Sequence, residues 1–526
     1  MRRHPLLAAI VVVVVACALV AALGVLVNLP QTGPQAAPLA PSSPSSASTA
    51  AGADEADWPT PAPIAWHRCG ADGPASGECA MVAVPRDWDS PKDGQLVHLA
   101  ISRVEHTRSP YHGVMLVNPG GPGESGLDLS TIGARVPNGV GGEYDWIGFD
   151  PRGVGSSTPR LTCDAGYDDG PRPLLAPPTS STITTWLQRS AAYAADCGKR
   201  NGALLDHMTT EDSAKDLEYL RLALGVQRIS YFGFSYGTYL GQVYATLFPS
   251  RLDRLVLDSN VDPRTVWYRG NLDQESAFEP NVERFFTWVA DNDAVYHLGS
   301  TKAVVEAHYA ATAAALESSP ADGEVGPDEF ADVVLEAGYD AAEYPRVADA
   351  WTSLLAGDPQ LLVEEWRITD TPGDDNVYAV YLAVQCTYAP WPTSFSTWRA
   401  DADRLDTTAS FETWPNTWFN MPCRTWPAKA GKPVQVDGSA APPALLIDET
   451  LDAATPYEGS LEVRSRFPRS RLLAEPGGVS HAASLQGNAC VDGTIARYLD
   501  TGALPARRPG RTADATCAPT PLPTAR

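Results

Sequence analysis

Gly233-Phe234-Ser235-Tyr236-Gly237 matches the pattern G-x-S-x-G. It is preceded by Arg228-Ile229-Ser230-Tyr231-Phe232, a short and largely apolar run of the kind that forms a buried strand. It is followed by Thr238 to Phe248, which reads as a helix stopped by Pro249. Strand, sharp turn and helix together form the setting in which a serine is pushed out above a sheet on a strained backbone. The flanking glycines permit that turn. The pattern alone is loose, because any glycine-containing strand-to-helix loop can match it, so its meaning depends on the surrounding chain.

Outward from the pentapeptide, apolar runs alternate with helical stretches. Leu96–Ile101, Gly113–Val117 and Tyr144–Phe149 read as strands. Thr210–Leu224 reads as a helix ending at Gly225, and Arg254–Leu257 as the next strand. This alternation predicts an α/β fold with a mostly parallel sheet covered by helices on both faces. Residues 269–438 break the pattern, with many tryptophans, little strand signal and helical stretches at Phe278–Val289 and Lys302–Leu316. Strand signal returns at Pro443–Ile447 and Arg471–Ala474. The expected organisation is a core in two parts, 59–268 and 439–504, interrupted by a large, mainly helical lid at 269–438.

Of the 526 residues, 44% are hydrophobic and 19% charged, an ordinary globular balance. The formal net charge is −24 and no basic stripe is present, which speaks against nucleic acid as a partner. Arg2 and Arg3 precede an unbroken apolar run from Leu6 to Val27. Residues 1–30 therefore read as a secretory signal or a membrane anchor, and the protein is expected to be secreted or held at the outer face of the membrane. Residues 31–58 form a Pro/Ala/Ser-rich linker. Residues 505–526 read as a similar tail that frays after Cys517. Nine cysteines less Cys17 leave eight, an even number suited to disulfides outside the cytoplasm. Eight cysteines leave on the order of a hundred connectivities open. Nearest-neighbour pairing (Cys69–Cys79, Cys163–Cys197, Cys386–Cys423, Cys490–Cys517) is the expectation. No C-x-x-C, H-E-x-x-H or P-loop lysine occurs, so neither metal nor cofactor is expected, and the chain is expected to be a monomer.

A serine hydroxyl is a weak nucleophile until a base takes its proton, and that base needs an orienting acid. Where the serine sits on such a turn, the acid and the histidine follow in that order on loops after later strands. Strand 471–474 leads into Glu475–His481, and His481 is the only histidine beyond His308. Strand 443–447 leads into three acids. Asp448 stands at the strand end, Glu449 is expected to face solvent, and Asp452 lies in a turn closed by Thr455-Pro456. Asp452 is favoured over Asp448 as the partner of His481. Oxyanion stabilisation needs two backbone N–H donors. Tyr236 supplies one, and Gly120 or Gly121 in the Gly-rich loop Asn118–Gly126 the other.

Together these stretches resemble the secreted actinobacterial tripeptidyl aminopeptidases, α/β-hydrolases related to prolyl iminopeptidases and carrying a TAP-like C-terminal segment. The resemblance rests on Asn118-Pro119-Gly120-Gly121-Pro122-Gly123, on Gly148 to Gly155, on Gly233 to Gly241, on Val261-Asp262-Pro263 and on Leu451 to Gly459. It implies Ser235 as nucleophile, Asp452 as orienting acid and His481 as base. The implied substrate is a peptide with a free N-terminus, cleaved by acyl transfer. An α-ammonium group needs a carboxylate near the site, and Glu124, Asp273, Glu275 and Glu279 are candidates. Asp150 and Arg152, in the D-x-R-G-x-G loop, read as an internal pair bracing the site. An esterase or lipase with the same three residues, and an inactive surface-binding protein on the same scaffold, are the rival readings.

Overall fold

A computed structural model describes residues 57–70 and 73–525. The expected signal or anchor at 1–30 and nearly all of the linker at 31–58 lie outside the described residues. Among the described residues, no helix is long and apolar enough to cross a membrane.

Among the described residues ten strands form one sheet: β1 (His67–Arg68), β2 (Glu78–Pro85), β3 (Leu96–Val104), β4 (Gly113–Asn118), β5 (Tyr144–Phe149), β6 (Ile229–Phe234), β7 (Leu252–Asp258), β8 (Ala444–Glu449), β9 (Arg471–Glu475) and β10 (Ala515–Thr516). Their spatial order is β1-β2-β3-β5-β4-β6-β7-β8-β9-β10. The pairings from β1 to β5 through β2 and β3 are antiparallel, and those from β5 through β4 to β10 are parallel. The parallel strands are apolar on both faces because each face meets a separate core. Leu116, Tyr231, Leu257 and Leu446 point into one core. Their chain neighbours Val117, Phe232, Val256 and Leu445 point into the other. Alternate side chains of a strand face opposite ways, so a strand buried on both sides loses its polar positions. The first core is covered by α1 (Ser180–Asn201), α2 (Thr210–Ala223) and α3 (Tyr236–Leu247).

Between β7 and β8 come α4 (Tyr268–Asp291), α5 (Asp293–Tyr296), α6 (Lys302–Ser318), α7 (Pro327–Tyr339), α8 (Tyr344–Leu355), α9 (Gln360–Thr369), α10 (Asn376–Tyr388), α11 (Phe395–Leu405) and α12 (Thr413–Asn420). This insertion has two characters. Its first half closes around a core of its own, including Phe285, Trp288, Phe330, Trp351 and Trp366. Its second half joins the main core through Tyr378, Leu382, Trp398 and Trp418. After β8, α13 (Glu458–Arg466) and α14 (Ala489–Thr501) complete the layers, with α14 lying on the second core.

The four nearest-neighbour disulfides are all present. Two other expectations are corrected. The segment from residue 505 is not a fraying tail. Asp514 is buried against Arg464 (2.6 and 2.8 Å), β10 pairs with β9, and Cys517 is bonded to Cys490. Beyond Cys517 the chain returns to the lid, where Trp288 Nε1 donates to the Pro523 carbonyl (3.0 Å). Nor are Asp150 and Arg152 paired with each other. Arg152 lies within the turn closed by Val154 N–H on the Pro151 carbonyl (3.0 Å), which begins just after Asp150. Arg152, 1% exposed, forks onto both oxygens of Asp216 (2.8 and 2.7 Å) and donates to the Arg86 and His207 carbonyls. Asp150 instead accepts from Ser125 Oγ (2.6 Å), Gly126 N–H (3.1 Å) and Ser156 N–H (2.8 Å), holding the Gly-rich loop from beneath.

Replacing Arg152 by alanine strands the buried Asp216 carboxylate. The expected loss is about 3–5 kcal/mol, read as a lower denaturant midpoint.

Candidate active site

Ser235 stands between β6 and α3, and its backbone (φ 55°, ψ −126°) lies in a region that L-residues rarely occupy. The strain is held by bonds on both sides. Ser235 N–H donates to the Asp258 carbonyl (3.1 Å), and the Ser235 carbonyl accepts from Thr238 N–H (2.8 Å) and Oγ1 (2.6 Å). Two glycines are required by close approach. A Cβ on Gly237 would lie 2.6 Å from the Asn118 carbonyl. Gly120 has φ +114°, and a Cβ there would lie 2.7 Å from the Phe234 carbonyl and 2.8 Å from Ser235 Cβ. The Gly-rich loop is thus seated directly on the serine turn. α3 begins at Tyr236, so the Tyr236 N–H belongs to the first helical turn, which has no intrahelical acceptor.

Asp452 and His481 meet as expected. His481 Nδ1 lies 2.8 and 3.0 Å from the two Asp452 oxygens. Asp452 also accepts from Ala454 N–H (2.9 Å), Thr455 N–H (3.0 Å) and Thr455 Oγ1 (2.9 Å). Burial disfavours the charged imidazole of His481, but the charge and hydrogen bond of Asp452 outweigh it and hold the pKa above the ordinary value. Ser235 and His481 line the same cavity, of about 1070 Å³, together with Gly121, Glu124 and Tyr236. Among the described residues no hydrogen bond joins Ser235 Oγ to His481, whose Nδ1 is held by Asp452.

The rejected acids have structural duties. Asp448 accepts from Ser460 Oγ and is pushed well up in pKa by burial and then by the charge of Asp452. Glu449 does not face solvent, contrary to expectation. It is buried, accepts from Ser480 N–H (2.5 Å), and burial pushes it up to about 8. Its place is set by Gly478, where any side chain would collide with its carboxyl.

Three supporting residues escaped sequence reasoning. Asn281 of α4, 1% exposed, aims its Nδ2 at the carbonyls of Leu451 (2.9 Å), Gly338 (3.2 Å) and Val479 (3.4 Å). One lid amide thereby touches the loops that carry Asp452 and His481. The Tyr339 carbonyl, at the end of α7, accepts from His481 N–H (2.8 Å). Asp258, at the end of β7, accepts from Ser484 N–H (3.0 Å) and Oγ (2.6 Å), and burial pushes it up to about 6. None sits in a motif; their partners lie tens to hundreds of residues away.

Of the four carboxylates proposed for an ammonium group, only Glu124 and Asp273 line the cavity. Asp273 is occupied by Arg269 (2.9 Å). Glu279 accepts from Phe411 N–H (2.8 Å), and Glu275 lies buried behind Asn416. Glu124 is reached by water, yet the surrounding protein raises its pKa, and it has no ion pair among the described residues.

A strained serine between a parallel strand and a helix, with a histidine–carboxylate pair on loops after later strands of the same sheet, defines a serine hydrolase of the α/β-hydrolase class. The general description "alpha/beta hydrolase fold" matches residues 113–340, and "TAP-like protein" matches residues 410–517. The chain belongs to the tripeptidyl aminopeptidase family. It is 41% identical to the tripeptidyl aminopeptidase of Streptomyces lividans over 484 residues, 88% of each chain. It is also 28% identical to the serine protease Hip1 of Mycobacterium tuberculosis, across 84% of this chain and 90% of that one. Carboxylesterase B of Mycobacterium tuberculosis is 30% identical across 82% of this chain and 85% of that one.

Asn281→Ala removes the shared donor of the two loops. Stability should fall by about 1–3 kcal/mol. Turnover should drop more than substrate affinity, which steady-state kinetics beside thermal denaturation will show.

Proposed function

We propose that the protein is an extracytoplasmic serine exopeptidase that releases tripeptides from free N-termini. The observation that carries the reading is the Asp452–His481 pair opening into the same lid-covered cavity as Ser235. Asp452 accepts the Nδ1 proton of His481 and leaves Nε2 as the base. His481 takes the Ser235 proton, Ser235 attacks the peptide carbonyl, and the protonated imidazole passes the proton to the leaving amine. Water then attacks the acyl-enzyme with His481 again as base. Tyr236 N–H and Gly121 N–H hold the oxyanion. Gly121 is preferred to Gly120 because Gly121 lines the cavity while Gly120 packs on the serine turn. A cavity walled on one side by the lid admits a chain end more readily than a loop, and unpaired carboxylates such as Glu124 suit a free ammonium group. The four disulfides and the family support a location outside the cytoplasm. Tethering through residues 6–27 belongs to the same proposal.

An esterase reading is favoured by one observation: Leu175, Trp186, Tyr378, Trp418 and Phe419 form an aromatic and apolar flank of the cavity. Unblocked tripeptide amides, their N-acetylated forms and p-nitrophenyl esters separate the readings. Preference for the unblocked peptides is expected; cleavage of esters alone sinks the peptidase. Ser235→Ala should abolish turnover and fluorophosphonate labelling together, and labelling retained in that variant would remove Ser235 from the mechanism.

The pH profile follows from the raised His481 pKa. The base must be neutral, so kcat/KM should fall as pH drops through a pKa above the ordinary imidazole value. Asp452→Asn removes the charge that raises it. The acidic limb should then move to lower pH, with kcat reduced by about 10⁴.

A further inference from the structure

The chain is strongly acidic overall, yet from Arg464 to Arg511 eight arginines face only three acids, Glu475, Asp492 and Asp500. The arginines are scattered along this stretch, and the fold gathers three of them, Arg464, Arg471 and Arg507, around the start of β9. Arg471 Nη1 and Arg507 Nη1 both donate to the Ser470 carbonyl, each at 2.8 Å. Arg471 Nε also donates to the Pro505 carbonyl (2.8 Å), and Arg507 Nη2 to the Arg464 carbonyl (2.9 Å). Two guanidiniums thus share one neutral oxygen. The carboxylate in the group is Asp514, and its oxygens are already taken. Arg464 forks onto both (2.8 and 2.6 Å), and the N–H groups of Leu472 (2.9 Å) and Arg508 (2.7 Å) take one each. Among the described residues neither Arg471 nor Arg507 has an ion pair, so three guanidiniums stand against one carboxylate.

A backbone carbonyl needs a donor, not a charge, and like charges a few ångströms apart repel. Burial, and after it the charges of Arg464 and Arg471, hold the Arg507 pKa below the ordinary arginine value in spite of Asp514. An anion between the two guanidiniums relieves that repulsion. Both side chains are half-buried, so solvent still reaches them, and Arg471 Nη2 and Arg507 Nε make no hydrogen bond among the described residues. Phosphate oxygens accept from the paired N–H groups of a guanidinium, and two such forks match the double charge of a phosphate. The place is remote from the catalytic cavity, which none of the three arginines lines. Arg471 opens β9, whereas His481 lies beyond its other end. At about 3.3 Å per residue the strand alone puts roughly 13 Å between its two ends.

We propose that Arg471 and Arg507, with Arg464 beside them, bind a phosphate group, free or carried by a lipid headgroup, at the end of the sheet opposite Ser235. The site gives an otherwise acidic body one point of attraction to a phosphate-bearing ligand or surface, and it leaves the catalytic cavity open. It does not depend on the peptidase reading.

The test is calorimetric titration of the full-length protein with inorganic phosphate, against sodium chloride at matched ionic strength, and with dihexanoyl phosphatidylglycerol below its micelle concentration. One phosphate per chain is expected to bind. Affinity should weaken roughly 10-fold or more in Arg507→Gln and in Arg471→Gln, while fluorophosphonate labelling of Ser235 stays as in the wild type. Arg507→Lys keeps the charge and loses the fork, so it should bind with intermediate strength. It also decides the matter if a glutamine variant fails to fold, because there an affinity equal to the wild type's counts against the site. Tighter binding of the phosphatidylglycerol than of inorganic phosphate assigns the site to a headgroup, and the reverse order assigns it to the free ion. A wild type that binds neither beyond the chloride control overturns the proposal. So does an affinity that survives both glutamine substitutions, which places the anion elsewhere, as at Arg264 and Arg269 in the cavity.

Discussion

The Asp452 carboxylate is a charge held at 2% residue exposure, and the site depends on how that charge is satisfied. Removing a carboxylate from water costs several kcal/mol unless its lone pairs are taken up. Here two backbone amides, one hydroxyl and the His481 ring do so. The arrangement works only if the turn after β8 and the loop after β9 keep their spacing. Glu449 to Ser480, and Leu451 N–H to the Gly478 carbonyl (2.9 Å), tie the two together within the core. Asn281 and the Tyr339 carbonyl tie both to the lid. The lid is therefore part of what aligns the histidine as well as a cover over the cavity.

The opposite wall follows a similar logic with backbone in place of charge. Ser235 occupies a costly conformation, and a neighbouring loop of glycines packs against it so tightly that side chains are excluded. Asp150 anchors that loop, and Arg152, two residues on, anchors the floor to α2. Both are buried, and both have their polar atoms taken up by hydrogen bonds to the loops and helix that frame the site.

The fold was legible wherever its signal was local. The parallel strands were readable as apolar runs because both of their faces are buried, and the serine turn because strand, glycines and helix are contiguous. Asp452 was separable from Asp448 and Glu449 by its turn and by the family pattern. Glu449 was misread because nothing in its neighbourhood shows that Gly478 leaves a space for its carboxyl. Asn281 and Asp258 were invisible for a related reason: a buried polar residue advertises itself through its partners, and theirs are distant in the chain. The last strand was missed because Ala515–Thr516 is two residues long and is fixed by Cys517 and the Asp514–Arg464 pair, not by an apolar run. The Asp150–Arg152 pairing was misjudged because closeness in sequence says little about direction once a turn intervenes.

The divided character of the insertion bears on how such an enzyme is remodelled, by evolution or in the laboratory. Residues 376–426 supply side chains to the main core, so replacing the whole insertion would open the body of the protein. α5 to α9 pack largely among themselves and against α4, with Val479 as their contact from the histidine loop. That smaller unit could be exchanged with less damage to the body of the protein. A new cassette would inherit an intact nucleophile and sheet, but it would have to restore the carbonyl that receives His481 N–H. In this architecture a unit that packs around its own core also carries a strut of the catalytic geometry, so specificity and turnover are expected to change together when it is replaced.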